Sequence, residues 1–103
     1  MTEMLKGTLE GIVLAILAER PAYGYEITAK LQELGFADIA SGTVYALLVR
    51  VERRGLVDIE KTPSQLGPPR KVYTLNDRGV AQLNEFWRTW SNLSERIEAL
   101  RKR

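Results

Sequence analysis

A chain of 103 residues is one domain with little room for a second, and its 45% hydrophobic content is that of a folded globular protein. Fifteen Lys and Arg stand against thirteen Asp and Glu, a net charge of +2, so bulk charge alone does not point to nucleic acid. Cysteine and histidine are absent, which excludes disulfides, Cys or His metal sites and every catalytic triad or dyad built on those residues. No catalytic set, metal or cofactor is therefore expected, and the lack of cysteine suits a cytoplasmic protein.

Apolar side chains at Leu5, Leu9, Ile12, Val13, Ile16 and Leu17 recur at spacings of three and four and predict a helix over residues 5–19. The apolar run Gly11 to Ala18 is far short of the roughly 20 residues a membrane span needs. Glu3, Glu10 and Glu19 surround it, so it reads as a buried helix and not as a leader peptide or an anchor. Pro21 ends this helix. Tyr23-Gly24-Tyr25 opens a second, with Tyr25, Ile27, Leu31 and Leu34 as its expected apolar contacts and Gly35 as its stop. Of the two tyrosines, one is expected in the core and the other near a phosphate; spacing does not say which.

Ser41 is expected to cap a third helix. Val44, Leu47, Leu48 and Val51 form its buried stripe, while Thr43, Ala46, Arg50 and Arg53 or Arg54 lie opposite. Gly55 suits the left-handed position after the helix, with Leu56 making the accompanying apolar contact. Val57 and Ile59 alternate with Asp58 and Glu60 as a half-buried strand. Residues 63–69, with three prolines and a glycine, form a loop, and Arg70 to Leu75 return as the second strand. Asn76 is expected to cap a last helix running to about residue 101.

Charge is segregated along this order. Residues 41–75 hold six basic and three acidic side chains, whereas residues 1–40 hold three basic and six acidic ones. Helix, turn, helix and basic hairpin is the sequence of elements by which a winged helix-turn-helix sets one helix in the DNA major groove and a wing beside it. On that reading Tyr23, Ser41, Gly42, Thr43, Tyr45, Arg50, Arg70 and Lys71 contact DNA. Ser41, Gly42 and Thr43 offer free amides and small hydroxyls at a helix N-terminus, and Arg50, Arg70 and Lys71 offer charge to phosphate or base edges. The plainer alternative is a solvated amphipathic helix and a hairpin whose cations protect its edge.

In the last helix Leu83, Phe86, Trp90, Leu93, Ile97 and Leu100 are spaced three, four, three, four, three, a seam about 26 Å long. Three helices and a wing already close a small core, so the seam is expected to pair with a second copy, a symmetry that suits palindromic half-sites. Trp87 and Trp90 are either interface core or the walls of a pocket for a flat molecule.

Placed together, these motifs resemble the PadR family of bacterial transcription regulators. Ala22-Tyr23-Gly24-Tyr25-Glu26-Ile27 is similar to the family's opening of helix two, and Ser41 to Leu48 (SGTVYALL) to its recognition helix. Arg53-Arg54-Gly55-Leu56 is similar to its helix exit, and Gly67 to Leu75 (GPPRKVYTL) to its wing return. Ala46 stands where the family often has proline, and Asn76-Asp77 where Thr-Glu is more usual. A single helix after the wing resembles the short subfamily. That resemblance implies a dimer built by helix four against the partner's helix one, and repression as the mode of action. It also implies, from the drug-sensing members, a planar aromatic effector at the dimer centre, with Trp90 carried over as the pocket residue and Phe86, Trp87 and Ser94 as neighbours.

The expectation is thus a mainly α fold with a small β-hairpin. Residues 1–75 form a winged helix-turn-helix that binds a double-stranded palindromic operator, and residues 76–103 form a dimerisation helix. The alternative is a winged-helix module that binds proteins and not DNA. An enzyme is the remotest reading, since Asp58 and Glu60 alternate on a strand and more simply face water.

Overall fold

The computed structural model describes residues 3–64 and 66–103. Their order is α1 (Glu3–Glu19), β1 (Ala22–Tyr23), α2 (Gly24–Glu33), α3 (Ser41–Arg53), β2 (Val57–Thr62), β3 (Arg70–Leu75) and α4 (Asp77–Arg101). Gln65 of the expected wing loop lies outside the described residues.

The core draws on every helix. Val13 and Leu14 of α1, Ile27 and Leu31 of α2, and Val44, Leu48 and Val51 of α3 are all fully buried. The four α3 positions are the stripe that periodicity marks. The α3 exit also follows its sequence. Gly55 has φ 72°, its N–H bonds to Glu52 O at 3.0 Å, and the Leu56 N–H reaches Val51 O at 3.1 Å. Leu56 is buried beneath that turn, so the helix ends in a glycine-dependent Schellman motif.

The sheet is antiparallel and three-stranded, in the order β1-β3-β2. Val57 pairs with Leu75 at the base of the wing and Thr62 with Arg70 near its tip. The third strand, β1, was not expected: two residues carry no alternation to read. It adds Ala22 opposite Tyr73 and Tyr23 opposite Val72, which fastens the start of α2 to the wing.

Three local expectations are corrected. Ala40, not Ser41, is the N-cap of α3, with no side-chain bond; its carbonyl accepts from the Thr43 and Val44 N–H groups, so Ser41 already lies in the first turn. Tyr25 is 51% exposed, because Ile27 and Leu31 define the buried face of α2 and Tyr25 falls well round the helix from them. Leu34 is also 51% exposed: it is the C-cap of α2, where the chain turns away, and Ile39 and Phe36 supply the apolar contacts instead.

The start of α4 is bound tightly to the wing. Asn76 Oδ1 accepts from the Gly79 N–H at 2.9 Å, and its amide donates to Gly55 O at 3.0 Å and Asp58 Oδ1 at 3.3 Å. Its backbone N–H donates to Leu56 O at 3.2 Å. Next, Leu83 is buried and Phe86 packs over Gly11 of α1 so closely that a Cβ there would lie 2.2 Å from its ring. Beyond Phe86 the helix leaves the core. Trp87, Trp90, Leu93, Ile97 and Leu100 are 44–62% exposed, so the apolar seam has no cover within the chain. The molecule is accordingly elongated, 59 × 30 × 20 Å.

Candidate nucleic-acid interface

Two concave surfaces gather most of the residues singled out above. The first is a cleft of about 900 Å³ between α3, the start of α2 and the wing. Tyr23, Tyr45, Arg70 and Lys71 line it, together with Gly24, Tyr25, Val49, Tyr73 and the Leu66-Gly67-Pro68-Pro69 tip.

Tyr45 projects from α3 and lies across the backbone of α2. A Cβ on Gly24 would stand 2.6 Å from its ring, so the bare glycine provides the seat. Tyr23 is half-buried, and its hydroxyl hydrogen-bonds Thr62 Oγ1 at 3.2 Å. Glu26 accepts from the Tyr23 N–H at 2.8 Å and so satisfies a donor at the start of α2. Tyr25 stacks on Tyr23 with centroids 5.5 Å apart and planes 10° from parallel. The choice between a core and a phosphate-facing tyrosine therefore falls away, since neither ring belongs to the core. Tyr73 is the buried tyrosine of the cleft, and burial pushes its hydroxyl above the ordinary value of 10.0. The nearby Lys71 charge opposes this shift in part.

Ser41 and Gly42 are exposed at the start of α3 and Thr43 is half-buried, one side of the cleft's approach. The cations divide into two sets. Lys71 lies in the cleft, 3.3 Å from Glu52 Oε1. Arg50 is not brought to the cleft. Its Nη2 lies 2.7 Å from Glu10 Oε2 on α1, and Arg54 pairs with the other oxygen of the same carboxylate. Glu10 Oε2 is buried and makes no aligned hydrogen bond, so its contact with Arg50 is one of charge. Two of the six basic residues counted toward DNA thus tie α3 to α1. Tyr25 was missed as a cleft residue because its period was read as core; Val49 and Leu66 carried no polar signal at all.

The second surface is an apolar groove of about 500 Å³ between α1 and α4. Phe86, Trp87 and Trp90 line it with Met4, Leu5, Thr8, Ile12 and Phe36. Phe36 was passed over as part of a turn. Ser94 is not in this groove: it lies a turn further along α4, and its hydroxyl donates to Ser91 O at 3.3 Å.

This geometry has counterparts. The pattern described as "Transcriptional regulator PadR-like family" matches residues 13–85, from α1 through the wing into α4. The chain belongs to the PadR-like family of transcriptional regulators. Among solved structures, a PadR-like transcriptional regulator from Bacillus cereus is 39% identical, with 96% of each chain covered and a TM-score of 0.84. A Streptococcus transcriptional regulator is 38% identical over 98% of this chain and 99% of that one, with a TM-score of 0.85. A PadR family regulator from Eggerthella lenta is 35% identical over 95% and 85% of the two chains, with a TM-score of 0.86. The PadR-like winged helix, with its three-stranded sheet and long final helix, is therefore the fold of this chain. Among the described residues no helix is long and apolar enough to cross a membrane.

Proposed function

We propose that this chain is a homodimeric DNA-binding repressor that sets α3 in the major groove and the wing against the neighbouring backbone. The observation that carries this reading is the cleft between α3 and wing, where aromatic rings and the cations Arg70 and Lys71 share one open surface. Cations at a wing serve phosphate and minor groove, while small residues at the start of α3 leave room for base edges. The test is binding to a duplex carrying the protein's own promoter region at several salt concentrations. Affinity falls steeply with salt, and Arg70→Ala with Lys71→Ala reduces the slope of log K against log salt by about 1.8. No binding at low salt would sink the reading.

The uncovered seam of α4 supports the dimer, and the groove beside Trp87 and Trp90 supports a planar aromatic effector held where two copies meet. Titration with a panel of planar aromatic compounds quenches tryptophan emission and weakens operator binding. Unchanged emission across the panel, with dimers intact, would leave the tryptophans as interface core.

A further inference from the structure

Of the basic residues around α3 and the wing, Arg50, Arg54 and Lys71 each face a carboxylate. Arg70 has no ion pair among the described residues. Its neighbour is a ring: the Arg70 guanidinium carbon lies 5.4 Å from the centroid of Tyr25. Tyr25 in turn stacks on Tyr23, whose hydroxyl bonds Thr62. Thr62 is the β2 partner of Arg70 in the sheet, and its Oγ1 donates to Arg70 O at 3.4 Å. Backbone and side chain of one exposed arginine are thus both held from the start of α2.

We infer that Tyr25 is a positioning residue for DNA binding, a platform that holds the Arg70 guanidinium ready at the mouth of the cleft. The inference rests on the DNA reading above. A guanidinium stacked on a ring uses its face, so the five N–H donors in its plane remain available to phosphate or a base edge. An arginine at a strand end otherwise has many rotamers, and ordering them on binding costs affinity. The platform meets that cost before DNA arrives. A carboxylate in the same place would have to be displaced by each phosphate; a ring does not.

The experiment compares the full-length chain with Tyr25→Leu, Tyr25→Phe, Arg70→Ala and the Tyr25→Leu, Arg70→Ala double variant on one promoter duplex. Tyr25→Leu weakens binding by about fivefold to tenfold, and Tyr25→Phe stays within about twofold of wild type. On the Arg70→Ala background Tyr25→Leu has no further effect. Equal losses for Phe and Leu would assign the role to the hydroxyl and overturn the inference. So would a Leu effect that persists without Arg70. A second readout needs no DNA: ¹⁵N relaxation of the Arg70 Nε–H in the free protein reports a restricted side chain in wild type and Tyr25→Phe, and a mobile one in Tyr25→Leu. Equal mobility in all three would refute the platform even where DNA binding stands. Wild-type protein that binds no promoter duplex would instead sink the DNA reading, and this inference with it.

Discussion

Arg50 and Arg70 carry the same charge and do different work. Glu10, only 14% exposed at its side chain, engages both Arg50 and Arg54, so these two cations are neutralised by the protein itself. The expected outcome is that Arg50→Ala leaves the salt slope of DNA binding unchanged, whereas Arg70→Ala lowers it by about 0.9. Binding measured from low to moderate salt checks this directly. Tyr73 supports a pH prediction. Its hydroxyl holds the proton more tightly folded than unfolded, since burial raises it above 10.0. Its contribution to stability is then complete below pH 10 and is lost as pH rises through the folded value. Thermal melts of wild type against Tyr73→Phe should diverge only above pH 10, with the wild type falling faster. At this scale the sequence was legible where a residue type has one job. Gly55, Leu56 and Asn76 sit where their chemistry demands. Arg50 did not declare its role, because whether a surface arginine meets phosphate or an acid on another helix depends on tertiary position, which periodicity does not carry.

Among the elements, the helix junctions turn on close approaches that only glycine allows. A Cβ at Gly79 would stand 2.1 Å from Leu56 O, a backbone atom that also accepts the Asn76 N–H and has no way to retreat. Alanine inside a helix normally gains about 1 kcal/mol over glycine. Here the overlap reverses the sign, and Gly79→Ala should cost about 1–3 kcal/mol, seen as a lower urea midpoint at unchanged slope. Gly7→Ala on α1 meets nothing within 4 Å and provides the contrast. It should stabilise by about 0.5–1 kcal/mol. The helices and the wing were readable from period and punctuation. The strand β1 was not, because two residues acquire strand character only from the neighbour they pair with. The same pairing brings Tyr23 beside the wing, and with it the exposed Tyr25, which the helical period had assigned to the core.

The whole molecule presents one feature that a single copy leaves unsatisfied. From Trp87 onward α4 offers an apolar seam to solvent, with Leu93 and Ile97 each about half exposed. Leu93→Glu with Ile97→Glu should give a monomer by analytical ultracentrifugation at micromolar concentration, with the thermal transition of the winged-helix core retained. A dimer that survives both charges would remove α4 from the interface. The joint at Asn76 has a further consequence in simple geometry. At 25 residues α4 is about 37 Å long, so a tilt of about five degrees at its anchored end sweeps the free end through about 3 Å. The arrangement therefore acts as a pointer with its pivot beside the exit of α3. Small rearrangements there are magnified at the tip, while an ångström imposed at the tip is scaled down to a fine angular adjustment at the pivot.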